Sequence, residues 1–162
     1  MFATRDDLLA RCNVRRLFQL AVPTDRAVPV DAALRIAMAG GDLSGYGTEA
    51  VETLGLSLDV IDRALADADE MVAARGIPTD YASPLLARLS STIALYYLQG
   101  AERMTDGVRK GYEDAVETLK AHSRGDISLV PDAVDGSVED DVVIERGSYR
   151  PRSLPGGEDW PC

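Results

Sequence analysis

Cysteine and histidine are scarce in this chain of 162 residues, which contains two cysteines and one histidine. A structural zinc site needs four clustered ligands, and a disulfide framework needs several paired cysteines. Cys12 falls on an apolar helical face, where we expect a buried thiol. His122 is expected to be a polar residue near a helix end, because no Ser–His–acid arrangement surrounds it. We therefore expect no metal, no cofactor and no enzymatic activity.

Long hydrophobic runs are also missing. The longest apolar segment, residues 85–98, is interrupted by Arg88 and by the polar residues 90–92. It falls short of the roughly 20 apolar residues that a membrane-spanning helix needs. The first residues show no signal-peptide pattern. We expect a soluble protein, made in a reducing cytoplasm, with no membrane partner.

Basic residues are outnumbered by acidic ones, 17 to 27, which gives a net charge of −10. Residues 126–162 hold 3 basic and 9 acidic residues, whereas residues 1–57 hold 6 and 7 and residues 58–125 hold 8 and 11. DNA-binding proteins displace counterions with lysine and arginine. Pairs such as Arg15-Arg16 and Arg109-Lys110 are too sparse to reverse the repulsion. We expect no measurable binding of duplex DNA by the free protein.

Three segments resemble ligand sites only superficially. The glycine-rich stretch 40–47 has Tyr46 where a phosphate-binding loop needs lysine. Asp67 and Asp69 point about 200° apart on a helix and cannot chelate one ion together. The acidic run 139–141 lacks the spacing of a calcium loop. We interpret these segments as a flexible loop, a solvated helix face and a charged arm.

Capping signals predict short helices in the first third of the chain. Thr4 and Asp7 form a capping box, and Asn13 can cap a second helix that ends at Pro23. Residues 30–39 predict a third short helix. Residues 49–54 predict one or two further turns that end at Gly55. Residues 22–57 as a whole are interpreted as an insertion on the domain.

Three longer helices are predicted between residues 57 and 125. Ser57 is expected to cap the first, over residues 58–75, whose apolar residues recur at spacings of three and four. The second opens at Ser83-Pro84 and has Arg88 as its only charge, so it is expected to be buried on most sides, Tyr96 and Tyr97 included. The third runs from Thr105 to Gly125. The predicted fold is all-α: a small helical bundle with a buried central helix, formed by residues 1–125.

Helical periodicity stops after Gly125. Residues 126–162 are predicted to be an extended acidic C-terminal arm with candidate short β-strands at 126–130 and 138–145, which would need a sheet edge to pair with. Apolar, aromatic and arginine side chains of this arm are the expected partner-binding residues, because aromatics and arginine dominate binding hot spots. They are Val142, Val143, Ile144, Tyr149, Arg150, Arg152 and Trp160. For Trp160, an unbound end of the chain is an equally good interpretation.

Four sequence blocks resemble the Mu-like phage head–tail connector family, also described as head–tail joining or adaptor proteins. They are FATRDDLLAR at 2–11, IDRALADADE at 61–70, PLLARL with IALY at 84–96, and YEDA with a later GDISL at 112–129. The similarity covers about residues 1–21 and 58–130. Residues 22–57 are longer than the usual link of the family.

This resemblance implies a structural protein without catalysis. It implies that copies of the protein form a ring, expected to be a dodecamer, below the portal at the head–tail interface of a tailed phage virion. The implied partners are the protein itself, the portal protein and a stopper or tail-terminator protein. Genomic DNA would pass through the channel without sequence-specific binding. A cytoplasmic assembly chaperone or regulatory helical module is the alternative.

Overall fold

The computed structural model describes residues 1–100 and 103–131, and this part of the chain contains six helices and no strand. The helices are α1 (Arg5–Leu9), α2 (Val14–Ala21), α3 (Asp31–Met38), α4 (Thr48–Ala73), α5 (Pro84–Gln99) and α6 (Asp106–Arg124). The all-α prediction is confirmed. The strand predicted at 126–130 is wrong, since these residues form bends. The strand predicted at 138–145 lies outside the described residues.

The predicted caps begin and end most of the helices. The side chains of Thr4, Asn13, Ser83 and Thr105 each accept a backbone N–H three residues later. Each bond satisfies one of the N–H groups that a helix leaves without a partner at its start. The chain ends α6 at Gly125, where φ is +79°. The local sequence therefore determines these boundaries.

One predicted boundary is wrong, because α4 continues for 26 residues through Gly55 and Ser57. The Ser57 hydroxyl is fully buried and donates to the Thr53 carbonyl at 2.7 Å. A serine inside a helix can satisfy its hydroxyl in this way instead of capping a new helix. Gly55 does not end the helix, because tertiary packing of the flanking turns outweighs its low helix propensity.

The central position of α5 is confirmed. It packs against α1, α2, α4 and α6. Its buried aliphatic residues face an apolar stripe on α4. The fully buried members of the two sets are Leu86, Ile93 and Ala94 on α5, and Ile61, Leu65, Ala68 and Val72 on α4. Leu85 and Tyr97 are the large hydrophobic α5 side chains that stay exposed, at 46% and 38%.

Residues 22–57 supply part of the core. Helix α3 packs against α2 and α4. Ala33 and Leu34 on its inner face are fully buried. This segment therefore stabilises the bundle and is more than a surface loop.

Packing also continues past Gly125. Leu129 is only 9% exposed and belongs to the core. The Leu129 nitrogen lies 3.4 Å from Nδ1 of His122, which can accept its hydrogen bond in one tautomer. In the other tautomer Nδ1 can donate to the Ile127 carbonyl, 3.3 Å away. His122 thus holds the chain that follows α6 against the bundle. In the described ranges no helix is both long and apolar enough to cross a membrane.

Replacing Gly55 by alanine tests the continuity of α4. A Cβ atom at Gly55 meets nothing within 4 Å, so the substitution should raise the free energy of unfolding by about 1 kcal/mol through helix propensity. Urea denaturation measures this change. The matched control is Gly76→Ala, where φ is +85° and an alanine should lower stability by about 1 kcal/mol. If Gly55→Ala destabilises like Gly76→Ala, the helix breaks at Gly55.

Candidate functional site

The partner-binding residues predicted from the sequence are Val142, Val143, Ile144, Tyr149, Arg150, Arg152 and Trp160. All seven lie outside the residues that the structure describes. Within residues 1–100 and 103–131, no group of three or more His, Cys, Asp or Glu side chains could hold a metal ion. The candidate site is therefore sought among the surfaces of the bundle.

Asp69, which the sequence suggested as a solvated residue, is a structural link. Its carboxylate accepts the Phe2 N–H at 3.0 Å and the Ser90 hydroxyl at 2.7 Å. One side chain on α4 thereby joins the segment before α1 to α5. Asp69 directly follows the fully buried Ala68, and this position at the edge of the apolar stripe is the signal that could have indicated its role.

Three tyrosines form a surface cluster at the seam of α4, α5 and α6. The rings of Tyr96 and Tyr112 stack with centroids 3.8 Å apart and planes 12° apart. Tyr97 meets both rings at about 6 Å, and its hydroxyl lies 3.5 Å from the sulfur of Met71. We call Tyr96, Tyr97, Tyr112, Met71 and the nearby exposed Asp67 the tyrosine patch. The expectation that Tyr96 and Tyr97 are core residues is wrong for Tyr97, which is 38% exposed.

The environment of the patch keeps the Tyr97 phenol neutral. Partial burial raises its pKa most, and the neighbouring Tyr112 raises it further. The negative charge of Asp67 acts in the same direction. The patch thus combines neutral aromatic rings with a carboxylate, a combination that favours a guanidinium or ammonium partner.

Five arginines gather on another surface, where α2, α3 and the segment before α6 meet. They line two adjoining hollows that share Arg16 and Gln19. We call this group, which consists of Arg15, Arg16, Arg26, Arg35 and Arg103, the arginine surface.

Two of these arginines have carboxylate partners. Arg15 binds Asp31 at 2.6 Å, and Arg26 lies 3.4 Å from Glu52. Arg16 and Arg35 are exposed and, within the described chain, have no carboxylate in salt-bridge distance. Five guanidinium groups stand against three carboxylates, those of Asp31, Glu52 and the exposed Asp25 between Thr24 and Arg26, which leaves a local net charge of +2 on a chain whose net charge is −10.

The arginine surface was not predicted from the sequence. Residues 1–57 as a whole have a charge near zero, although residues 11–35 alone hold five arginines and two aspartates. This local excess was a usable signal. Arg103, which donates to the Gln19 carbonyl at 2.5 Å across 84 residues, could not be placed there without the fold.

A groove of about 420 Å³ runs between α5 and α6. Leucine, valine and threonine side chains line it, with Arg11, Arg88 and Asp114 among them. Gly107 and Gly111 stand one helical turn apart on its α6 wall. A Cβ atom on Gly107 would meet nothing within 4 Å, and one on Gly111 would meet Thr92 at 3.4 Å. The two glycines widen the groove at this end.

The arginine surface and the tyrosine patch lie at different helix contacts of the bundle. Helices α2 and α3 pack against α4, and α2 also reaches α5. Helix α6 packs against α5, and the rings of Tyr96 and Tyr112 meet at that contact. The bundle therefore presents a basic surface and an aromatic, acidic surface that share no residue.

Stability at alkaline pH should depend on Tyr97. Because the fold raises the pKa of this phenol above its ordinary value of about 10, its contribution to stability is full below that pH and is lost as the pH rises through the higher folded-state pKa. Replacing Tyr97 with phenylalanine should reduce the fall in the free energy of unfolding at high pH. Urea denaturation across the alkaline range measures this slope, and Tyr46→Phe controls for the loss of a phenol outside the patch. An unchanged slope in Tyr97→Phe would contradict the assignment.

The comparisons with known proteins place the chain in a family. No curated protein and no solved structure matches it. A family model described as "Bacteriophage Mu, Gp36" matches residues 2–143. The match extends over all six helices and includes residues 22–57, so it covers the arginine surface as well as the tyrosine patch. The chain belongs to the bacteriophage Mu Gp36 family of phage proteins.

Proposed function

We propose that this phage protein is a structural head–tail connector, an adaptor of a tailed phage or a related particle. Copies form a ring below the portal, extend the DNA channel and offer a docking surface for the next neck or tail component. The protein acts by assembly and performs no catalysis. Its place is the head–tail interface of the virion.

The observation that carries the proposal is the pair of unlike surfaces on a member of a phage family. A ring is built from head-to-tail contacts, in which one surface of a subunit fits a different surface of its neighbour. The arginine surface and the tyrosine patch differ in charge and chemistry and share no residue. This arrangement suits a ring with many copies, which we expect to be twelve, better than a symmetric dimer.

The charge of the chain suits a DNA channel. A wall of predominantly negative groups repels phosphates, so that DNA slides without binding. The net charge of −10 supplies those groups. In this proposal the arginine surface faces neighbouring subunits, and the channel side carries the acidic excess.

The C-terminal arm is the proposed link to other components. It is acidic and contains short β-branched runs between prolines, a composition that favours ordering on a partner. The portal or an adjacent ring subunit is the proposed partner of Val142–Ile144 in this arm, with Tyr149, Arg150, Arg152 and Trp160 as further anchors. A stopper or tail-terminator protein would dock on the opposite end of the ring.

An assembly chaperone of the same phage is the second candidate function. The small helical bundle is compatible with it, and so is membership of the family. The two functions differ in one observable: a connector stays in finished particles in many copies, whereas a chaperone leaves before they mature.

Truncation after Pro131 tests the connector function. Every buried residue of the described part is retained, so the helicity and melting temperature should stay nearly unchanged. Incorporation into particles should be lost, because the arm is removed. Circular dichroism and quantitative mass spectrometry of purified particles measure the two effects.

Truncation after Gly125 serves as the control for the cut site. It also removes Leu129, whose burial is worth about 1.5–3 kcal/mol, so this shorter protein should melt earlier. If the protein cut after Pro131 still enters infectious particles in full number, the arm is dispensable and its proposed role is wrong.

A further inference from the structure

We propose that the arginine surface of one copy binds the tyrosine patch of the next copy. The occupant of each surface is thus a second copy of this chain. This inference rests on the proposed ring, and it names the contact that builds it.

The side-chain chemistry of the two surfaces is complementary. A guanidinium group stacks on the face of an aromatic ring and forms hydrogen bonds with a carboxylate. Tyr97 and Asp67 offer such a ring and carboxylate at an exposed position. Arg16, which borders both basic hollows, is exposed and lacks a carboxylate partner in the described chain. Arg16 is therefore the best placed of the five arginines to insert into the patch.

The charges also favour this pairing over a random encounter. Two copies with a net charge of −10 each repel one another. A local charge of +2 facing the carboxylate of Asp67 offsets part of this repulsion where the two surfaces meet. Arg109, the basic residue one turn before Tyr112, is held by Asp106 at 2.7 Å. It therefore leaves the aromatic faces available to an arginine from a neighbour.

The positions of the surfaces determine the kind of assembly. The two surfaces share no residue, so a copy that uses one of them on a neighbour keeps the other available. Each copy uses its arginine surface on one neighbour and its tyrosine patch on the other. Such a contact repeats until a ring closes.

Mixing two variants of the full chain tests the contact in solution. The first variant, Arg16→Glu, keeps the patch and loses the arginine. The second, Tyr97→Ala with Asp67→Asn, keeps the arginine surface and loses the patch. Each alone should stay monomeric, and the mixture should form a 1:1 complex that cannot grow. At 17.4 kDa the chain is suited to NMR, so the first variant is ¹⁵N-labelled and titrated with the unlabelled second.

The expected result is a set of saturable shift changes in the amides of α5 and α6 around Tyr97 and Tyr112. When the unlabelled second variant also carries the substitution Arg16→Glu, binding should weaken by about 30-fold, as for a hot-spot residue. The control is the unlabelled second variant with Lys120→Glu in place of Arg16→Glu. This substitution makes the same charge change at an exposed site two turns beyond Tyr112 and should leave binding unchanged.

Two outcomes would overturn the contact. The first is a titration in which no amide shifts change, or in which they change equally whether or not the unlabelled partner carries Arg16→Glu. The second is tight binding of duplex DNA to the wild-type protein that Arg16→Glu abolishes, which would make the arginine surface a nucleic-acid site. Because the titration uses purified protein, it is independent of the particle experiments. If purified particles hold many copies but the two variants form no 1:1 complex, the proposed contact is wrong and the connector function still stands.

Discussion

The packing of α4 against α5 determines where every other element of the bundle lies. Ile61 and Leu65 on one helix and Leu86 and Ile93 on the other are fully buried, and each such side chain contributes about 1.5–3 kcal/mol. The bond from Ser90 to Asp69 fixes how the two helices are placed along each other, and the same carboxylate holds the chain before α1. Helices α1, α2 and α6 then pack on α5, and α3 packs on α4. The two proposed contact surfaces are built on this pair: the arginine surface on helices that pack beside α4, and the tyrosine patch where α4, α5 and α6 meet.

In the proposed ring, a strongly acidic protein must overcome its own charge to assemble. The proposal meets this constraint by pairing the arginine surface of one copy with the stacked tyrosines and the aspartate of the next. Two arginine surfaces would repel each other, whereas an arginine surface and a tyrosine patch attract. This difference favours the proposed ring, which is built from contacts between unlike surfaces, over a symmetric dimer.

The sequence predicted those features that depend on neighbouring residues. Caps such as Thr4 and Ser83, the apolar stripe of α4 and the buried α5 follow from local hydrogen bonding and periodicity. The break at Gly55 was predicted wrongly because propensity is weaker than tertiary packing. The strand at 126–130 was predicted from its β-branched composition, whereas Leu129 packs into the core. The arginine surface could be foreseen only in part, since residues 84 apart in sequence meet there.

Electron cryomicroscopy of the neck in purified particles tests the central claim most directly. The account predicts a closed ring of this protein below the portal, with about twelve copies if it matches the symmetry that the family resemblance implies. In that ring, α2 and α3 of each subunit should face the α5–α6 seam of its neighbour. Particles that hold one or two copies, or none, would contradict the account.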